Sequence, residues 1–124
     1  MNKRNIILIG MPGAGKSSVG VILAKVLGYE FIDTDLVIQH REKRLLREII
    51  ADEGNEGFLA IENEVNATLE ANKSVIAPGG SAIYGKEAME HFKEIGTIVY
   101  LKLSYEDLAK RLGNLKGRGV VLKE

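Results

Sequence analysis

The stretch Ile6-Ile7-Leu8-Ile9-Gly10-Met11-Pro12-Gly13-Ala14-Gly15-Lys16-Ser17 constrains the fold more than any other part of the chain. Ile6–Ile9 is an apolar run of strand length that halts at Gly10. From there Gly10-x-x-x-x-Gly15-Lys16-Ser17 fits the phosphate-binding loop pattern at every fixed position. Glycines at 10, 13 and 15 let the backbone curl until successive N–H groups point into one concavity. A helix opening near Lys16 adds the positive end of its dipole to that concavity. Lys16 supplies a mobile cation for β- and γ-phosphates, and the Ser17 hydroxyl is suited to ligate Mg²⁺. A strand before the loop and an amphipathic helix after it separate this reading from a chance glycine-rich turn.

The chain has 124 residues, enough for one domain with a modest core, here taken as residues 1–124. Its 17 basic and 17 acidic side chains cancel, and no basic stripe is present, which argues against nucleic acid as a partner. With no cysteine, disulfides, thiol catalysis and cysteine metal sites are excluded. His40 and His91 have no ligand-spaced partners and read as ordinary residues. The apolar run behind the basic N-terminus is too short for a signal peptide, and no stretch approaches a membrane span. A soluble cytoplasmic protein is expected.

Along the chain, strand one (6–9) is followed by a helix from Lys16 to Leu27, with Val19, Ile22, Leu23, Val26 and Leu27 on one face and Gly28 as its stop. Tyr29–Asp33 reads as a second strand with Phe31 and Ile32 buried, ending in Asp33-Thr34-Asp35. A helix over 36–41 leads into the mixed charge cluster Arg41-Glu42-Lys43-Arg44, read as a solvated face. Leu45, Leu46, Ile49 and Ile50 resume an apolar stripe, and Gly54 and Gly57 bracket a turn. A helix from Phe58 to Leu69 turns Phe58, Ile61, Val65 and Leu69 inward, and Asn72-Lys73 closes it. Ser74–Ala77 is a third strand running into Pro78-Gly79-Gly80-Ser81, where paired glycines imply close approach to a ligand or a tight turn. A helix over 86–95 ends at Gly96, and 97–101 is a fourth strand. Ser104 caps a further helix, with Asp107 at the capping-box position, and residues 113–124 show no clear period.

Alternating strands and helices predict an α/β fold with a parallel sheet and right-handed crossovers. The loops at 10–17, 33–35 and 79–81 all follow strand C-termini and so gather on one sheet edge. A phosphate-binding loop can serve hydrolysis, switching or phosphoryl transfer. Small size and the acidic pair favour transfer to a small molecule, one carboxylate orienting metal-bound water and the other accepting the proton of an acceptor hydroxyl. The alternative for the pair is helix capping, above all by Asp35. A switch GTPase would need an Asn-Lys-x-Asp loop, which is not present.

These residues resemble the shikimate kinases of the nucleoside-monophosphate-kinase-like P-loop group. The resemblance is carried by 8–17, by Phe31-Ile32-Asp33-Thr34-Asp35, by Glu53-Gly54-x-x-Gly57-Phe58-x-x-Ile61-Glu62, by Ile76-Ala77-Pro78-Gly79-Gly80 and by Val99-Tyr100-Leu101, in family order. It implies an ATP- and Mg²⁺-dependent transferase of aromatic amino acid biosynthesis that phosphorylates a hydroxyl of shikimate. Gly13, Ala14, Gly15, Lys16, Ser17 and Ser18 would hold ATP, Ser17 and Asp33 would serve the metal, and Arg118 would be a lid arginine. Asp35 would bind the acceptor hydroxyl and act as base beside catalytic Lys16, and Gly79 and Gly80 would contact the acceptor.

Four departures accompany the resemblance. Leu59 stands where the family has an arginine that grips the shikimate carboxylate, a charge-assisted bond worth about 1.5–3 kcal/mol. Ser81 replaces the third glycine of a Gly-Gly-Gly run, and Gly119 a proline after Arg118. Lys43-Arg44-Leu45 replaces a helix-capping Gly-x-Ser, so two helices should fuse or be capped differently. The chain also stops at Glu124, where the resemblance places the start of the lid, the last edge strand and an adenine-contacting arginine. A monomer is expected for the complete fold, and poor solubility or self-association through an open sheet edge for the chain as it stands. Leu59 keeps open a kinase of the same fold for another hydroxylated acceptor, such as gluconate or a nucleotide. The missing lid keeps open a nucleotide-binding module without turnover.

Overall fold

A computed structural model describes residues 4–10 and 16–101. Gly13, Ala14, Gly15, Arg118, Gly119, the expected helix after Ser104 and the 113–124 stretch lie outside the described residues. The elements are β1 (Asn5–Gly10), α1 (Lys16–Leu27), β2 (Glu30–Asp33), α2 (Thr34–Glu42), α3 (Leu46–Ala67), β3 (Ser74–Ala77), a 3-10 turn (Ala82–Tyr84), α4 (Lys86–Ile95) and β4 (Gly96–Leu101). The four strands form one parallel sheet in the order β2-β3-β1-β4. Ile6 of β1 lies opposite Val75 on one side and Thr97 on the other.

Alternation along the central strands divides the core between two faces. Ile7, Ile9 and Ile76 pack with Phe92 and Ile95 of α4, whereas Leu8 and Val75 pack with Ala24 of α1. Gly20 sets the approach of α1, since an added Cβ there would lie 2.5 Å from Phe31 Cε1. This contact turns Gly20, Ile22 and Ala24 inward and leaves Val26 and Leu27, expected on the inner face, 40% and 44% exposed. Gly28 follows with φ 71°, the left-handed stop read from the sequence. Phe31 and Ile32 are half-buried rather than buried, because β2 is an edge strand.

The helices around Lys43-Arg44-Leu45 do not fuse. Lys43 takes φ 56° and its N–H bonds to Gln39 O, closing α2. Gln39 Oε1 then accepts from Leu46 N and Glu48 Oε1 from Leu45 N, both at 2.9 Å, so side chains of both helices satisfy the start of α3. The charge cluster is paired as well as solvated: Arg44 meets Glu42 at 3.0 Å and Asp52 at 3.1 Å, and Arg41 meets Glu64 at 2.7 Å. The turn expected between Gly54 and Gly57 shrinks to one residue. Gly54, at φ 74° and ψ 174°, breaks α3, and Gly57 is already helical. Beyond this break Phe58, Ile61 and Val65 pack with Ile38 and Ile49, joining α3 to α2. Leu45 and Ile50 of the expected stripe are exposed, and Leu69 lies past the end of α3 against the α4 face of the core.

One polar residue is buried where β1 begins. Asn5 Nδ2 donates to Ala71 O at 2.9 Å and Ile95 O at 2.8 Å, and Asn5 Oδ1 accepts from Ser74 N at 3.0 Å. A single amide thereby ties the first strand to the entries of the other two strands that flank it. Among the described residues no helix is long and apolar enough to cross a membrane.

Candidate active site

A parallel sheet delivers the C-terminal ends of its strands to one edge. Lys16 opens α1 there, and its Nζ donates to Gly10 O at the end of β1 at 3.1 Å. Ser17 is exposed and Ser18 half-buried on the same turn.

Asp33 ends β2. Its Oδ1 accepts from Asp35 N at 2.9 Å, so Asp33 caps α2, which starts at Thr34 rather than at Leu36. The capping alternative therefore falls on the first aspartate, and Asp35 stands in the first turn of the helix. Burial pushes the Asp35 carboxyl above the ordinary carboxylate range, the Asp33 charge pushes it further, and the Lys16 ammonium opposes both.

Gly79 brings a second element to Asp35. A Cβ at Gly79 would lie 2.9 Å from Asp35 Oδ1 and 3.1 Å from Glu62 Oε2. Only a residue without a side chain leaves this gap between two carboxylates. Gly80, beside it, is exposed. Ser81 Oγ donates to Glu62 Oε1 at 2.7 Å.

Glu62 was given no role from the sequence. It is 2% exposed, and its Oε2 has no hydrogen-bond partner among the described residues. Burial holds its carboxyl above the ordinary range, the Ser81 hydroxyl pulls it back and the Asp35 charge raises it. A signal existed: Glu62 is one turn from Phe58, on the inward face of the helix. Leu59 lines a cavity of about 270 Å³ together with Glu62, Asn63, Ser81, Tyr84 and Lys86, between α3 and α4.

The described residues hold no cluster of three or more His, Cys, Asp or Glu able to cage a metal. His91 donates from Nε2 to Leu69 O at 2.6 Å, in keeping with an ordinary structural histidine.

Comparison with known proteins turns this geometry into a family. The family model described as shikimate kinase matches residues 12–124. The chain belongs to the shikimate kinase family. Shikimate kinase 2 of Yersinia pseudotuberculosis serotype O:3 (strain YPIII) is 38% identical over 109 residues, which are 88% of this chain and 63% of that protein. Its counterpart in Yersinia enterocolitica serotype O:8 is 39% identical with the same coverage. The chain thus spans 63% of the length of these curated relatives. Among solved structures, a shikimate kinase from Acinetobacter baumannii in complex with shikimate superposes with a TM-score of 0.74 at 34% identity, covering 98% of this chain and 69% of that one. The shikimate kinase of Aquifex aeolicus gives 0.69 at 33% identity, covering 84% and 62%. The four-stranded parallel sheet is therefore the P-loop fold of the nucleoside-monophosphate-kinase-like group.

Proposed function

We propose that the protein catalyses ATP-dependent phosphoryl transfer to a hydroxyl of shikimate, giving shikimate 3-phosphate and ADP. The observation that carries this reading is Asp35, which feels the Lys16 ammonium and lies against Gly79. A base at that point has the phosphate-binding end before it and an acceptor gap beside it. In the reaction the acceptor oxygen forms the new P–O bond, the bond from γ-phosphorus to ADP breaks with its electron pair leaving on ADP, and the hydroxyl proton passes to Asp35. Lys16 offsets charge on the β- and γ-phosphate oxygens. The backbone of Gly13, Ala14 and Gly15, with Ser17, Ser18 and Arg118, completes the nucleotide side.

Ser17 and Asp33 offer a hydroxyl and a carboxylate, the hard oxygen donors that Mg²⁺ takes when phosphate and water fill its other positions. Asp33 would act through water, as the family resemblance implies, while its Oδ1 accepts from Asp35 N. When bound, Mg²⁺ supplies charge neutralisation across the phosphates. The protein works in the cytoplasm, and the complete fold is a monomer.

Leu59 favours a second reading on a specific ground. Its side chain cannot pair with an acceptor carboxylate, so another hydroxylated acceptor, gluconate or a nucleotide, fits the same machinery. ADP release with Mg²⁺-ATP and shikimate tests the first reading. Turnover well above the acceptor-free background supports it, and turnover with another acceptor alone supports the second. Asp35→Asn should lower kcat by at least about 10²-fold with ATP affinity unchanged. Activity surviving that change sinks the role given to Asp35.

A further inference from the structure

Asn66 is fully buried in α3, yet neither its Nδ2 nor its Oδ1 has a hydrogen-bond partner among the described residues. A buried amide left in that condition is costly, and native interiors avoid it. The helix says where this amide lies. Asn66 is one turn on from Glu62, whose carboxylate meets Ser81 after β3. It is three residues before Leu69, which packs on the cluster that holds Ile76 of β3. The stripe through 62, 66 and 69 therefore faces β3 and the segment that follows it. Thr34 is fully buried too, and its Oγ1 has no partner among the described residues. It follows Asp33, which lies opposite Ala77 at the end of β3. One turn further along α2, Ile38 shares a core cluster with Val65, the neighbour of Asn66. Both orphaned side chains thus belong to the corner where α2 and α3 meet the C-terminal ends of β2 and β3, and the strand residue there, Ala77, is small.

We propose that Asn66 and Thr34 form an internal binding site for ordered water, which joins α3 to the first turn of α2. The chemistry of the three atoms fits that ligand. Asn66 Nδ2 donates, Asn66 Oδ1 accepts and the Thr34 hydroxyl does either, and water, with two protons and two lone pairs, matches all three. Neither side chain carries a charge that would draw an ion. An apolar ligand would leave the amide unpaired. The bridge fixes the start of α2, and with it the turn that carries Asp35, against α3. No step of phosphoryl transfer passes through it, so the inference stands apart from the reading of the reaction.

Two measurements on the purified chain test it. In nitrogen-labelled wild type, the side-chain amide of Asn66, assigned through its backbone neighbours, should show a nuclear Overhauser cross-peak to water with the sign of a bound, slowly exchanging molecule. A folded protein without that cross-peak overturns the proposal. Thermal unfolding supplies the second readout. Thr34→Val and Asn66→Leu should each lower the melting temperature, by about 5 °C or more, because each leaves the other side chain without its bridge. The double variant, apolar on both sides, should lose less than the two single losses together. A single variant that melts above the wild type overturns the proposal, since it marks a dry group that was never satisfied. Strictly additive losses overturn it as well, because two side chains on one water must be coupled. Where a variant does not fold, the cross-peak in the wild type decides.

Discussion

Lys16 and Ser17 come from the first turn of α1, and Lys16 reaches back only six residues to the carbonyl of Gly10. Asp35, Glu62, Gly79 and Ser81, in contrast, come from α2, α3 and the segment after β3, and meet through contacts that span 17 to 44 residues. On the reading proposed above, the nucleotide end is local, and its described part is one helix terminus and one cation. The proposed acceptor end is tertiary, with the half-buried Asp35 and the buried Glu62 placed by how three elements pack. The difference teaches that the first can be shared widely among P-loop proteins, whereas the second is where a chain can change what it phosphorylates.

The sharpest way to break this contrast is at Lys16. Lys16→Met should lower kcat by about 10²–10³-fold if Lys16 has the phosphate-neutralising role proposed above. It should leave acceptor binding, measured by calorimetry without nucleotide, unchanged. A matching loss of acceptor affinity would mean that the two ends are not separable. Gly79→Ala probes the other end. A methyl placed 2.9 Å from Asp35 Oδ1 and 3.1 Å from Glu62 Oε2 should raise the acceptor KM about tenfold or more, with ATP affinity retained. Loss of ATP affinity in this variant would contradict the division.

The smallest expected effect is on stability. The Glu62 carboxyl is held above its ordinary value in the folded protein, so its ionisation opposes folding. Its contribution is greatest below the unfolded value of about 4.3 and is lost as pH rises through the folded one. Glu62→Gln does not titrate. The variant should therefore gain melting temperature over the wild type as pH rises through the folded value, and differ little near pH 4. A gap that does not change with pH would show that burial of Glu62 is not what strains the acceptor end.

The same division explains what could be read without coordinates. Strands over 6–9 and 74–77, the helix from Lys16 to Leu27 and the stop at Gly28 rest on local periodicity and turn chemistry, and these elements are present. The strand order was not legible, because apolar runs do not state their neighbours. Val26 and Leu27 were misread because the face of α1 is chosen by Gly20 against Phe31, a contact between two elements. Asp33 and Asp35 could be placed at the site from their position after a strand, but which of them caps α2 depended on where the helix begins. Glu62 resembles the exposed Glu56 and Glu64 around it until α2 and β3 close over its face.

Asn5 has a consequence for how the molecule is made. Its three bonds reach residues 71, 74 and 95, and the strand it starts lies between β3 and β4. Among the described strands, β1 stands first in the chain yet gains its second neighbour only when β4 has been made. Until residue 101 has been synthesised, Ile7, Leu8 and Ile9 have no finished sheet to enter. Contacts of such long sequence separation make folding slow and leave an apolar strand exposed to other chains in the meantime. The nascent chain depends on whatever shelters those three residues while the remaining strands arrive.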